Sequence, residues 1–289
     1  MKLTGPASHT YFSQRLRLHY ADWGNCAAPP LILLHGGEDH CRSWDWVAGE
    51  LMADWHVIAP DLRGHGDSQW AADGNYPIMS FVYDLAQLIH QLDFDQVTIV
   101  AHSMGGNIAL RYAGLYPEKV RRLVAIEGLG PSPKQQAERE AIPSHERWRK
   151  WIDQKRAGSS KQPRRYASLD EALARMHGEN SYLSPEQARH LTTHAVIRNE
   201  DGTYSWKFDP HLRIWPPYDI PIAETHALWG QITCPVLLCL GLNSWASDPE
   251  EDGRIGVFGS AQLSRFADAG HWLHHDQFDR FMAQIKEFL

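Results

Sequence analysis

A serine, a histidine and a carboxylate placed on loops after strands can carry out acyl transfer by nucleophilic attack. Ser103 lies in Ala101-His102-Ser103-Met104-Gly105, between the strand-like run Val97-Thr98-Ile99-Val100 and a helical stretch from Asn107 to about Tyr116, stopped by Pro117. A strand–turn–helix of this kind is strained and lifts the serine hydroxyl clear of the backbone. It needs small residues around the serine, because the following helix packs close. The first of these is usually glycine; here it is Ala101, which the same steric logic tolerates. Taken alone, Ser103 also fits a plain helix N-cap. A second feature argues for chemistry. His271 directly follows Gly270 at the end of the last predicted strand, where a base could reach the hydroxyl. There are seventeen histidines, and the adjacent His274 and His275 fall in a helical stretch. A histidine base works as the neutral ring, so activity is expected to fall as pH drops below about 6. Acyl transfer also builds negative charge on the carbonyl oxygen. Two backbone N–H groups would meet it, that of Met104 after the nucleophile and, in the His35-Gly36-Gly37 loop, that of Gly37. Removing one such donor typically costs about 3–4 kcal/mol.

The elements that must position these residues alternate between short apolar runs and helical patterns, which predicts an α/β fold with a mostly parallel sheet. Strands are expected at Leu16–Trp23, Leu31–Leu34, His56–Ala59, Val97–Val100, Leu123–Ile126, Pro235–Gly241 and Leu263–Phe266. A helix is expected over 80–92 and another from about Phe278 to Phe288. From about Pro131 the chain turns polar and aromatic, with helical stretches near 137–156, 168–177 and 184–196. A loop that long would not sit structureless in a compact domain. The expected organisation is therefore a core of 1–130 and 229–289 with a helical cap over 131–228.

The chain has 289 residues, 43% of them hydrophobic and 22% charged, with a formal net charge of −7. That mild acidity offers no footprint for nucleic acid or an anionic membrane. No apolar run approaches the length of a membrane span, and no leader-like segment opens the chain. Cys26, Cys41, Cys234 and Cys239 match no metal-ligand spacing and read as reduced thiols of a cytoplasmic protein. No metal or nucleotide cofactor is expected. The expected partner is a small-molecule ester.

The runs Leu33-Leu34-His35-Gly36-Gly37, Ala59-Pro60-Asp61-Leu62-Arg63-Gly64-His65-Gly66-Asp67-Ser68, the turn around Ser103 and Ala269-Gly270-His271 together resemble the capped α/β-hydrolase superfamily, over about residues 10–130 and 228–289. The resemblance implies the fold, a serine nucleophile and a catalytic triad, and it makes Arg63–Ser68 scaffolding, with no catalytic role for His65. It implies a triad acid after the strand ending at Gly241, in a Gly-x-x-Asp pattern. This chain has Gly241-Leu242-Asn243-Ser244 there, and Asp248 lies four residues further on. In some relatives the acid follows the next strand after the nucleophile, which here is Glu127. A carboxylate at the end of an apolar strand is costly to bury unless paired, and a histidine would pair it. Glu127 is the favoured acid, with Asp248 as the alternative.

Dehalogenases and epoxide hydrolases of this fold carry aspartate at the nucleophile position, so serine at 103 argues against both. The expected activity is hydrolysis of carboxylic esters of small to medium apolar substrates through an acyl-enzyme on Ser103. The alternatives are a carbon–carbon bond hydrolase of diketone-type substrates and a non-catalytic ligand-binding homologue. His40, Trp44 and Trp245 adjoin the motif loops and are candidates to line a pocket.

Overall fold

The computed structural model describes residues 5–159, 163–218 and 220–289. Its centre is an eight-stranded sheet in the order β1-β2-β4-β3-β5-β6-β9-β10. The strands are β1 (Ala7–Ser13), β2 (Leu16–Asp22), β3 (Pro30–Leu34), β4 (His56–Pro60), β5 (Val97–His102), β6 (Val120–Ile126), β9 (Val236–Gly241) and β10 (Ala261–Phe266). The pairs β1–β2 and β2–β4 are antiparallel, and every pairing from β4 to β10 is parallel.

Side chains alternate across a strand, and the central strands use both faces. Ile32 and Leu34 of β3, Ile99 and Ala101 of β5, and Leu123 and Ala125 of β6 enter one core layer, closed by α2 (Ile78–Gln91) and α3 (Met104–Leu115). Leu31 and Leu33, Val100, and Val124 and Ile126 enter the opposite layer, closed by α1 (Asp45–Leu51) and α10 (Phe278–Phe288). This two-sided burial explains why the strands read as continuous apolar runs. Helix α2 buries Phe81, Leu85, Leu88 and Ile89, the spacing of one helical face.

A buried ion pair ties the Arg63 loop to α2. The Arg63 guanidinium gives two hydrogen bonds of 2.6 Å to Asp84, and the Ser13 hydroxyl gives a third at 2.5 Å. Asp61 is likewise enclosed, accepting from the Cys41 and Asp67 backbone N–H groups and meeting His19 Nδ1 at 2.7 Å. A Cβ on Gly66 would fall 2.2 Å from that carboxylate, so only glycine passes there. Arg63 and Ser68 of this run thus have buried structural partners, Ser68 donating its hydroxyl to Asp61 O at 2.7 Å.

Between β6 and β9 the chain forms α4 (Pro133–Ala141), α5 (Ser144–Ser159), α6 (Leu169–Glu179), α7 (Pro185–Ala195), the hairpin β7 (Val196–Arg198) and β8 (Tyr204–Trp206), and α8 (Ile222–Trp229). The helix expected over 137–156 is two helices. Pro143 has no N–H and drives Ile142 to φ −72°, ψ 125°, outside the helical region. The β7–β8 hairpin and strand β1 lie outside the sequence expectations. The short α9 (Leu273–Asp276) holds His274 and His275, as their helical spacing predicted.

Candidate active site

Ser103 sits between β5 and α3 with φ 51° and ψ −118°. A non-glycine residue there is strained, and the surroundings hold it. The Ser103 N–H donates to Ile126 O at 2.7 Å, and Asn107 N–H donates to Ser103 O at 3.1 Å. The small residues act by contact. A Cβ on Gly105 would fall 2.5 Å from His35 O, and one on Gly106 would fall 2.7 Å from Gly128 Cα. Helix α3 therefore lies directly against the loops after β3 and β6.

The Ser103 hydroxyl is 2.9 Å from His271 Nε2. On the far side of the ring, Nδ1 meets Glu127 Oε2 in a short contact. Glu127 has φ 48°, and its side chain is fully buried. Its carboxylate is saturated: Gly241 N–H donates to Oε1 at 2.9 Å, and the Ser244 hydroxyl donates to Oε2 at 2.6 Å. The structure therefore brings Ser103, Glu127 and His271 together. Asp248 is instead paired with Arg265 of β10, at 2.7 and 3.1 Å. That cation holds the Asp248 carboxyl below its ordinary value.

Further groups position the histidine. His102 Nε2 donates to the His271 carbonyl at 2.9 Å, while Asp276 accepts the Gly270 N–H at 2.8 Å. Burial drives the His102 ring well below the usual histidine range, so it is a neutral donor. Burial also pushes the Asp276 carboxyl up to about 6, the Gly270 N–H opposes this, and the nearby Glu127 adds to it.

The loop after β3 is fixed by His35. Leu62 N–H donates to His35 Nε2 at 2.9 Å, so the ring proton is on Nδ1, which donates to Gly36 O at 2.7 Å. Burial lowers this ring to about 3 and keeps it neutral. The two glycines of the loop differ. A Cβ on Gly36 would fall 2.8 Å from the His102 ring and 3.0 Å from Ser103 Cβ, whereas one on Gly37 would meet nothing within 4 Å.

Gly37, Ser103 and Met104 open onto a cavity of about 590 Å³, within the usual range for small-molecule sites. Phe81, Leu129, Leu212, Ile214, Trp215 and Ile222 give it apolar walls, and Gln135, Gln136 and Arg139 of α4 face it from the inserted segment. Trp245 also lines it and lies 4.9 Å from the His271 ring. Trp44 does not; it is fully buried and stacked on His274. His40 Nε2 contacts Leu191 O instead, at 3.0 Å.

Among the described residues two groups could offer metal-ligand atoms, His19–Cys41–Asp61 and Asp45–His190–His194. His190 and His194 stand four apart on α7, a spacing that sequence reasoning passed over. In the first group burial holds the Cys41 thiol protonated. In the second, Arg42 already binds Asp45 at 2.6 Å.

Sequence reasoning also missed Ser244, His102 and Asp276. Ser244 was visible as the departure from Gly-x-x-Asp, and His102 flanks the nucleophile. Asp276 carried no local signal.

A mostly parallel sheet with a strained serine between strand and helix, facing a histidine after the last strand, defines a class of hydrolytic proteins. The chain belongs to the α/β-hydrolase-fold family, whose model matches residues 29–278. A "3-hydroxybutyrate-oligomer hydrolase" of Cupriavidus necator is 31% identical over 79% of this chain and 77% of its own length. A "serine hydrolase-like protein" of Danio rerio is 29% identical over 75% of this chain, and the match spans a little under two thirds of that relative, 66%. A thioesterase domain from the curacin biosynthetic pathway superposes with a TM-score of 0.86 at 22% identity, covering 98% of this chain and 99% of that one. That likeness speaks for the fold alone. Among the described residues no helix is long and apolar enough to cross a membrane.

Proposed function

We propose that this protein is a serine hydrolase that cleaves carboxylic esters of small to medium apolar substrates through an acyl-enzyme on Ser103. The observation that carries the proposal is the 2.9 Å approach of Ser103 Oγ, which lines the cavity, to His271 Nε2, with Glu127 on the other ring nitrogen. Ser103 Oγ attacks the ester carbonyl as His271 Nε2 takes its proton. Glu127 holds the Nδ1–H tautomer and stabilises the imidazolium. The N–H groups of Gly37 and Met104 receive the oxyanion. Collapse expels the alcohol, protonated by His271, and water repeats the attack on the acyl-enzyme.

Residues 131–228 act as a cap that sets selectivity, supported by the α4 residues on the cavity wall. The relatives' names support hydrolysis as the class, and the Cupriavidus protein's name agrees with an ester bond. The thiols of Cys26, Cys41, Cys234 and Cys239 are unpaired, which fits a cytoplasmic setting.

The test is hydrolysis of a p-nitrophenyl ester series by wild type and Ser103→Ala, with fluorophosphonate labelling read at Ser103. Turnover and labelling that both vanish in Ser103→Ala support the proposal. A folded wild type that neither hydrolyses esters nor labels would overturn it. Turnover of a vinylogous diketone without ester hydrolysis would replace it by the carbon–carbon reading.

A further inference from the structure

Apolar side chains make up much of the cavity lining, with polar groups contributed by Asn107, Arg111 and Thr225 as well as by α4. Among the described residues two carboxylates line the cavity, and both are engaged. Glu38 is held by a double hydrogen bond from Arg213, at 2.6 and 2.5 Å, and Glu127 is held by His271, Gly241 and Ser244. Two guanidinium groups also line it, those of Arg111 and Arg139. Arg111 is buried on α3 and donates to the Asn107 side chain and to Thr225 Oγ1.

Arg139 is the cation that faces the cavity from the inserted segment. One of its N–H groups donates to Pro216 O at 2.7 Å, and its guanidinium lies over the Trp215 ring, 5.1 Å from the centroid. Among the described residues no carboxylate pairs with it. A guanidinium in cation–π contact with an indole is restrained by the ring and can keep N–H groups for a planar acceptor. Gln135, beside it on the wall, has its side-chain oxygen taken by the Ser132 N–H at 2.9 Å. What that amide has left for a ligand is its N–H groups, which are donors as well.

We infer that the substrate is an ester whose apolar chain ends in a free carboxylate, and that Arg139 binds this carboxylate while Ser103 attacks the ester. The inference rests on the serine-hydrolase reading of the same cavity. A carboxylate matches the fork of one guanidinium in geometry and in charge. The apolar side chains that line the same cavity as Ser103 and Arg139 account for the methylene chain, and the cation accounts for its end. Arg139 is thus a specificity-determining residue with no part in bond making.

The experiment compares mono-p-nitrophenyl esters of succinate, adipate and suberate with neutral esters of matched length that end in methyl. Wild type is expected to prefer the carboxylate member of at least one pair by tenfold or more in kcat/KM. The preference is carried by KM and shrinks as salt rises. In Arg139→Gln the ratio falls to near one, and Arg139→Lys keeps part of it. Equal turnover of both members at every length, or a preference that survives Arg139→Gln, overturns the inference. Because both esters are read on the same variant, a general loss of folding does not imitate the result.

A binding arm separates this inference from the parent reading. Calorimetry of monomethyl adipate against methyl hexanoate on Ser103→Ala needs no turnover. Tighter binding of the anion, lost in Ser103→Ala/Arg139→Gln, supports the inference even where hydrolysis is absent. No difference between the two ligands overturns it even where Ser103 labels with fluorophosphonate and neutral esters are cleaved.

Discussion

Ser244 donates its hydroxyl to the Glu127 carboxylate at 2.6 Å, from the position where a Gly-x-x-Asp pattern would set the acid itself. The loop after β9 thus serves a carboxylate carried by the neighbouring strand. It also supplies the Gly241 N–H to the other oxygen of that carboxylate.

This arrangement ranks three substitutions. Glu127→Gln leaves an amide that cannot accept on both arms, so the His271 tautomer is lost and kcat is expected to fall by roughly 10³–10⁴. Ser244→Ala removes one of the carboxylate's hydrogen bonds and should lower kcat by about tenfold, a loss near that of one charged hydrogen bond. Asp248→Asn breaks only the pair with Arg265 and should leave kcat within about twofold. Steady-state kinetics on one good ester checks the order; a larger loss for Asp248→Asn than for Glu127→Gln would remove Glu127 from its proposed role.

Gly106 and Gly128 meet backbone to backbone. A Cβ on Gly128 would fall 2.6 Å from Gly106 Cα, and no flexible side chain is there to turn away. Gly128→Ala is expected to destabilise the fold by about 1–3 kcal/mol, as overpacking does. It should also lower activity by shifting α3, whose first residue is Met104. Denaturant unfolding measures the first effect. A loss below about 0.5 kcal/mol would mean that α3 gives way freely.

The half-buried Asp276 gives stability a pH slope of known sign. Its carboxyl is raised by burial to about 6 from an ordinary 3.8. The folded chain therefore keeps this proton to a higher pH than the unfolded chain does. Its contribution to stability is greatest below about pH 4, is lost as pH rises from about 4 to about 6, and stays lost above. Asp276→Asn can accept the same Gly270 N–H without the charge. It should be more stable than wild type at pH 8 by on the order of 1 kcal/mol, after discounting for solvent screening. At pH 4 the gain should disappear. Urea titrations at the two pH values decide it, and an equal gain at both would refute the assignment.

The sequence was most legible where the determinants are local. The turn at Ser103, the His35-Gly36-Gly37 loop and the parallel strands could be read because glycine sterics and two-sided apolar burial leave a mark within a few residues. The acid was harder, since Glu127 and Asp248 both end strands or turns and only the three-dimensional pairing separates them. Asp248 goes to Arg265, a partner seventeen residues away and invisible to spacing. The inserted segment was read as helical in bulk, but Pro143 divides one expected helix. The β7–β8 hairpin is too short, three residues a side, for alternation to register. Strand β1 was missed because most of its side chains face solvent, leaving no apolar period to detect.

The unequal glycines after β3 carry a consequence for how such a protein diversifies. At position 36 the direction a side chain would take is closed by His102 and Ser103, so its residue type is locked. Position 37 has open space where a side chain would project, beside the cavity. A lineage could therefore exchange the residue at 37 in a single step and reshape the mouth of the pocket without moving the chain that frames it. Drift toward new substrates has a ready point of entry one residue away from a position that tolerates none.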